Sequence, residues 1–443
     1  MDMHETLRLI IAQHQDSFLD QYPIVSRDVQ ILPVPRKATV IIGIRRGGKS
    51  TWQHEKIQAL LEEGVPKDAI CYIDFSDDRL DFLRLQTSKP SLIADTYYGM
   101  YPQNHEQKVY FFFDELQYVH QWGPFINRLQ STEKCEIYIT GSSAKLLAKE
   151  IATELGGRTF TWELFPFSFR EFLRASNKKE AIVDVTSRDE IIGAFDEYVM
   201  KGGMPERRLL PKDSMAVQYF QNLVNDVLTR DLILRYNIPH PTQLKRMVHI
   251  LIGTMSHLIT VNKLKQRLAG ENLSLSPALI NDYLEKLADC YLLFTIPIRS
   301  YNSAVQAVNP KKVYAIDHAI AQAFSRATSE NAGLILENMV FIELRRTIQE
   351  IFYYKTQKGD EIDFAVGPDS AIQLIQVCWS MQNQSDAREL ECKALFEGMM
   401  ELELQEGWII TAYEEEEIID EASGRTIHVI PAYKWLLQEK GSA

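Results

Sequence analysis

The chain has 443 residues, enough for two or three domains that each bury a core of their own. Apolar residues make up 45% and charged residues 24%, and the net charge of −12 argues against a uniformly basic nucleic-acid binder while leaving a local basic patch open. Five widely spaced cysteines without a C-x-x-C pair argue against a disulfide framework or a zinc site and fit a reducing cytoplasm.

Residues 1–30 read as a helical lead-in ending near Pro23, without the basic-then-apolar pattern of a signal peptide. No apolar run approaches the roughly 20 residues that cross a bilayer, so no membrane partner is expected. Residues 38–42 form a β-branched run predicted to be a buried strand. A glycine-bearing turn follows, then a helix over 50–63 that stops before Gly64 and Pro66. Strands are predicted at 69–75, 109–113 and 136–140. The second of these is apolar at nearly every position, as in a sheet covered on both faces. Strands alternating with helices predict a mostly parallel α/β sheet over 31–165. Residues 166–240 read as a helical extension. Residues 241–300 read as helix, turn, helix and a strand at 291–296, the order of a winged helix. Residues 301–443 turn mixed again, with a helix at 336–347 and strands at 351–354, 361–366, 372–378, 408–411 and 427–430. The run Glu414-Glu415-Glu416-Glu417 reads as a solvated loop.

Gly43-Ile44-Arg45-Arg46-Gly47-Gly48-Lys49-Ser50 fits G-x-x-x-x-G-K-[ST], with Thr51 opening the helix behind it. Glycines let backbone N–H groups close around phosphate oxygens, and the helix N-terminus adds its positive end. Lys49 should reach the β- and γ-phosphates of ATP, and the Ser50 hydroxyl should coordinate Mg²⁺. Asp114, at the end of the 109–113 strand, is the expected second anchor for the metal. Glu115 beside it is placed to polarise an attacking water; a helix-dipole role for both acids is the plain alternative. The strand at 136–140 ends in Thr140-Gly141-Ser142-Ser143, a turn in its own right. Arg158 comes first and Arg230 second as arginines that could stabilise charge in phosphoryl transfer, and either could instead serve as a structural ion pair.

Between Lys49 and Asp114 there is room for the strand at 69–75, which resembles the additional-strand, catalytic-glutamate division of P-loop ATPases. Tyr72-Ile73-Asp74-Phe75, Phe113-Asp114-Glu115, Leu155-Gly156-Gly157-Arg158, Leu164-Phe165-Pro166-Phe167-Ser168-Phe169, Gly202-Gly203-Met204-Pro205-Glu206 and Leu336-Glu337-Asn338 appear in order. Together with the glycine loop they resemble a prokaryotic family of AAA-type ATPases with an uncharacterised C-terminal region. The resemblance implies an ATP hydrolase with Mg²⁺, and makes Thr140 or Ser142 a sensor of the γ-phosphate. AAA-type enzymes often complete each site with a neighbour's arginine, so the resemblance leaves a homo-oligomer open without fixing the oligomeric state. In many members the last domain resembles a restriction endonuclease, whose metal site uses a Glu in the Leu-Glu-Asn helix, an Asp in the following strand and a Glu-hydrophobic-Lys strand. Glu337 and Asp363 match, but Gln376 and Cys378 stand where the last carboxylate and the lysine would be. An amide is a poor ligand for hard Mg²⁺ and a thiol supplies no ammonium charge, so the expectation is a fold kept without nuclease activity.

The predicted recognition helix carries Asn281 and Lys286 beside Asp282 and Glu285, which leaves a DNA and a protein partner both open. Lys263, Lys265 and Arg267 could touch phosphates or form a solvated face. The whole-chain expectation is an ATPase whose nucleotide state controls the attached domains, with a slow nucleotide-switched scaffold as the rival.

Overall fold

The computed structural model describes residues 2–18, 24–85, 87, 89–142, 157–300, 302–324, 332–382 and 385–438. The chain forms two compact units, one of residues 1–165 with 289–291, the other of residues 166–288 and 292–443.

The first unit is built on strands β1 (Ala38–Ile42), β2 (Ile70–Asp74), β3 (Val109–Asp114), β4 (Cys135–Gly141) and β5 (Thr159–Glu163). They lie in the order β2-β3-β4-β1-β5, and every pair is parallel. Helices α1 (Met3–Ser17), α2 (Lys49–Glu62), α3 (Ser91–Met100) and α4 (Trp122–Thr132) accompany the sheet. The apolar run of β3 has a direct cause in its alternating side chains. Phe112 stacks on Tyr138 at 4.7 Å, while Phe111 and Phe113 meet Tyr97 and Phe125 at 5.3 and 5.8 Å. Strand β5 was not foreseen. Its residues are half-exposed or exposed, and Phe160 is 42% exposed, so no continuous apolar signal marks an edge strand that, among the described residues, pairs with β1 alone.

The lead-in belongs to this unit. Leu7, Ile10 and Ile11 of α1 are buried. The Gln15 amide donates to the Lys67 and Ile70 carbonyls at 3.2 and 3.0 Å and accepts the Tyr101 hydroxyl at 2.7 Å. Pro23, where the lead-in was expected to end, lies outside the described residues.

The second unit begins with helices Phe169–Ala175, Val185–Lys201 and Ala216–Asp226; the last runs into a π-helical segment, Val227–Leu234. Helix Pro241–Ile252 precedes β6 (Leu258–Ile259), helices Val261–Ala269 and Pro277–Asp289, β7 (Leu293–Ile296) and β8 (Lys311–Ala315). These strands form an antiparallel sheet in the order β6-β8-β7, so its central strand falls past residue 300. Gly203 explains one motif: its N–H donates to Asp317 and its carbonyl accepts from Phe167, both at 2.7 Å. A Cβ there would lie 2.4 Å from the Phe167 carbonyl oxygen.

After helix Ala332–Arg345 come β9 (Ile351–Lys355), β10 (Glu361–Val366), β11 (Gln373–Val377), β12 (Glu406–Thr411), β13 (Glu416–Ile419) and β14 (Thr426–Pro431). They form one mixed sheet in the order β13-β14-β12-β11-β10-β9. The acidic run is therefore not all solvated loop. Glu416 and Glu417 open the edge strand β13, where Ile418 pairs with Ile427 and Arg388 neutralises Glu416 at 2.8 Å. Among the described residues no helix is long and apolar enough to cross a membrane.

Candidate nucleotide site

β1 runs straight into the glycine loop. At Gly43 (φ +156°) a Cβ would lie 2.2 Å from the Leu164 carbonyl oxygen, so two backbones touch where a side chain would stand. Arg46 and Gly48 hold φ of 63° and 96°, which turns the loop sharply into α2. Gly48 is the N-cap of α2 and has no side chain to satisfy the first helical amides, which point at the loop's hollow. Lys49 is 4% exposed, and its ammonium folds back on the loop, donating to the Gly43 and Ile44 carbonyls at 3.0 Å each. Loop amides, a buried ammonium and a helix N-terminus are a donor set suited to a polyphosphate.

Two strands away, Asp114 closes the other side. It is 3% exposed, its carboxylate accepts from the Tyr72 hydroxyl at 3.0 Å and from the Thr140 hydroxyl, and Ser50 also donates to it. Burial pushes its pKa up, and the Ser50 and Thr140 hydrogen bonds pull against that rise. The Thr140 hydroxyl in turn accepts the Glu115 N–H at 2.9 Å. Glu115 sits in the left-handed region (φ 54°, ψ 43°), with its carboxylate 3.9 Å from the Lys49 ammonium and paired with the Gln117 amide. A non-glycine residue in that region costs about 1–3 kcal/mol and persists only where its surroundings hold it. Lys49, Ser50, Asp114, Glu115 and Thr140 thus meet at the C-terminal edge of the sheet, where open α/β sheets bind ligands. Ser50 and Asp114 would be the protein ligands of a hard, oxygen-loving cation.

The other expected residues divide. Ile44, Gly47 and Ser142 are buried at this edge, Arg45 donates to the Tyr118 hydroxyl at 3.2 Å, Arg46 is exposed and Thr51 is half-buried. Ser143, Leu155 and Gly156 lie outside the described residues. Arg158 is a correction as a residue of its own chain's site. It directly precedes β5, whose Thr159 is level with Ala38, so it stands at the opposite edge of the sheet, roughly 20 Å from the loop by strand rise. There it is exposed and donates to Ser131 at 3.3 Å. Arg230 is exposed on the π-helical segment of the second unit. The roles of two residues escaped sequence reading. Tyr72 braces Asp114, and its ring lies 4.9 Å from both His14 and His54. Arg27 donates to the Gly47 carbonyl at 3.2 Å and to the Phe165 carbonyl, joining the loop to the strand exit. A tyrosine in an apolar strand is a usable signal, because a buried hydroxyl needs a partner; Arg27 carries none.

In the second unit, the expected Glu337–Asp363 pair is brought together by a residue that no motif marked. Lys312, 2% exposed on β8, lies 3.0 Å from Glu337, 2.8 Å from Glu361 and 2.5 Å from Asp363. Burial opposes its charge, but Asp363, Glu337 and Glu361 outweigh that and hold its pKa well above the ordinary lysine value. Tyr314 donates to Glu337 at 2.7 Å, and Val377 N–H to Asp363 at 2.8 Å. Gln376 accepts the Asp363 N–H at 3.0 Å and donates to Glu391 at 2.6 Å. Burial, then Glu391, pushes the Cys378 thiol up. Asn338 clamps β8 through the Ala315 N–H and carbonyl at 2.7 and 3.0 Å.

A family model described as a AAA domain matches residues 35–173, and two described as domains of unknown function (DUF8612 and DUF4143) match 192–331 and 332–435. An uncharacterized protein of Methanocaldococcus jannaschii is 32% identical over 94% of this chain and 91% of its own length. One from Haemophilus influenzae is 26% identical over 90% of this chain and 94% of its own. The Aeropyrum pernix ORC1 protein, solved in complex with DNA, aligns with 70% of this chain and 96% of its own at 10% identity, with a TM-score of 0.32 too low to carry an argument.

Proposed function

Because this chain belongs to a prokaryotic family of AAA-type P-loop ATPases with an uncharacterised C-terminal region, we propose that it binds ATP with Mg²⁺ and hydrolyses it. The observation that carries this is the convergence of Lys49, Ser50, Asp114, Glu115 and Thr140 at one edge of a parallel sheet. The loop and first α2 amides receive the phosphates, and Lys49 leaves its two carbonyl acceptors for phosphate oxygens. Mg²⁺, when bound, neutralises charge on the phosphate oxygens; Ser50 and Asp114 are the residues that would hold it. Glu115 takes the proton of the attacking water, its backbone fixed by the Thr140 hydroxyl. We place the reaction in the cytoplasm, in keeping with the free cysteines.

Phosphate release tests the proposal. Wild type turns over ATP, Glu115→Gln binds ATP with at least about 10²-fold slower release, and Lys49→Ala loses binding. Tight ATP binding by wild type without phosphate release, alone or with DNA, would establish the rival reading instead, a nucleotide-switched scaffold. One observation favours a protein over DNA as its partner. The elements from β6 to β8 have the order of a winged helix, yet Lys286 on the second helix is paired with Asp282 and lies 5.2 Å from the Tyr236 ring centroid. That cation is engaged within the chain rather than offered to bases.

A further inference from the structure

Lys312 stands among three carboxylates drawn from two other elements, in a sheet domain where opposed acids ordinarily need a cation between them. The geometry points to Lys312 as a tethered cation that does the charge balancing of a divalent metal, so that this carboxylate cluster is a metal-independent core.

Two observations support it. The ammonium is 2% exposed and within bonding distance of Glu337, Glu361 and Asp363, so an incoming metal would have to expel a charge that cannot reach water. Several of the oxygens that would ligate are also engaged. Asp363 uses one on Lys312 and the other on the Val377 N–H, Glu337 Oε1 takes both Lys312 and Tyr314, and the Gln376 carbonyl takes the Asp363 N–H. A hard divalent ion wants about six oxygens at close range. The lysine also joins β8 to the helix and strand that carry the acids, a cross-brace that a dissociable ion would supply only at sufficient concentration.

The test is Mn²⁺ uptake, read by electron paramagnetic resonance on the full chain without nucleotide, in an Asp114→Asn background that silences the first unit. The expected result is no uptake that depends on Asp363, and no change in melting temperature on chelation. Adding Lys312→Met should open an Mn²⁺ site, and adding Asp363→Asn should close it again. Asp363-dependent Mn²⁺ binding by the Lys312 protein overturns the proposal, as does a folded Lys312→Met protein that takes up none. Mn²⁺-dependent nicking of plasmid DNA that Lys312→Met abolishes also overturns it, making Lys312 a catalytic lysine. If Lys312→Met does not fold, the binding and chelation measurements on the Lys312 protein decide alone.

Discussion

Replacing Thr140 by valine keeps the side-chain shape and removes one oxygen with two duties. The hydroxyl donates to the buried Asp114 carboxylate and accepts the Glu115 N–H at 2.9 Å. Losing a hydrogen bond to a charged group costs about 1.5–3 kcal/mol, and leaving a buried amide unsatisfied adds about 1–3 kcal/mol. Allowing for partial relaxation, the loss is about 3 kcal/mol, or roughly 6–12 °C in the melting temperature of a unit of this size. Asp114 loses one of the hydrogen bonds that oppose its raised pKa, which shifts it further up. Urea denaturation followed by the fluorescence of buried Trp52 and Trp122 reads the stability, and phosphate release reads the chemistry. Turnover should fall about 10²-fold, because Glu115 loses the contact that sets its backbone, while ATP binding weakens far less. Thr140→Ser keeps the oxygen and should lose only about 1 kcal/mol for its methyl group. Thr140→Val within about 0.5 kcal/mol of wild type, at unchanged turnover, would refute the bridging role.

Gly43→Ala should cost about 1–3 kcal/mol or more, because its Cβ meets the Leu164 carbonyl oxygen, backbone that cannot rotate away; titration with a fluorescent ATP analogue should show at least tenfold weaker binding. Burial, with His14 adding to it, lowers the His54 pKa from 6.5 to about 4. The unfolded chain then binds more protons in that window, so His54 contributes stability above pH 6.5 that is lost as pH falls towards 4, about 3 kcal/mol in all. Thermal denaturation across that range should show a shallower acid slope for His54→Leu, and an identical slope would contradict the assignment.

The phosphate loop was legible because its consecutive residues carry one chemistry, and Asp114 and Glu115 because an apolar strand ended in acids. Tyr72 and Arg27 were harder, since their partners Asp114 and Phe165 lie 42 and 138 residues away. The error over Arg158 has a topological cause. β4 ends at the nucleotide edge, but a parallel β5 must start from the other edge, so nearness in sequence to Thr140 becomes distance in space. Lys312 had no motif because its partners, 25 and 51 residues away, come together only through tertiary structure. The edge strand β13 was hidden by its own charges; Arg388, 28 residues before Glu416, offsets one of them.

Arg27 bears on where this machine begins. The family match for the AAA domain starts at residue 35, yet the guanidinium that fastens the phosphate loop to the strand exit lies eight residues earlier, and Gln15 pins β2 from earlier still. A fragment trimmed to the matched boundary would retain every signature residue while losing the clasp that keeps loop and exit in step. The unit that can answer to a nucleotide is therefore longer than the one its motifs outline.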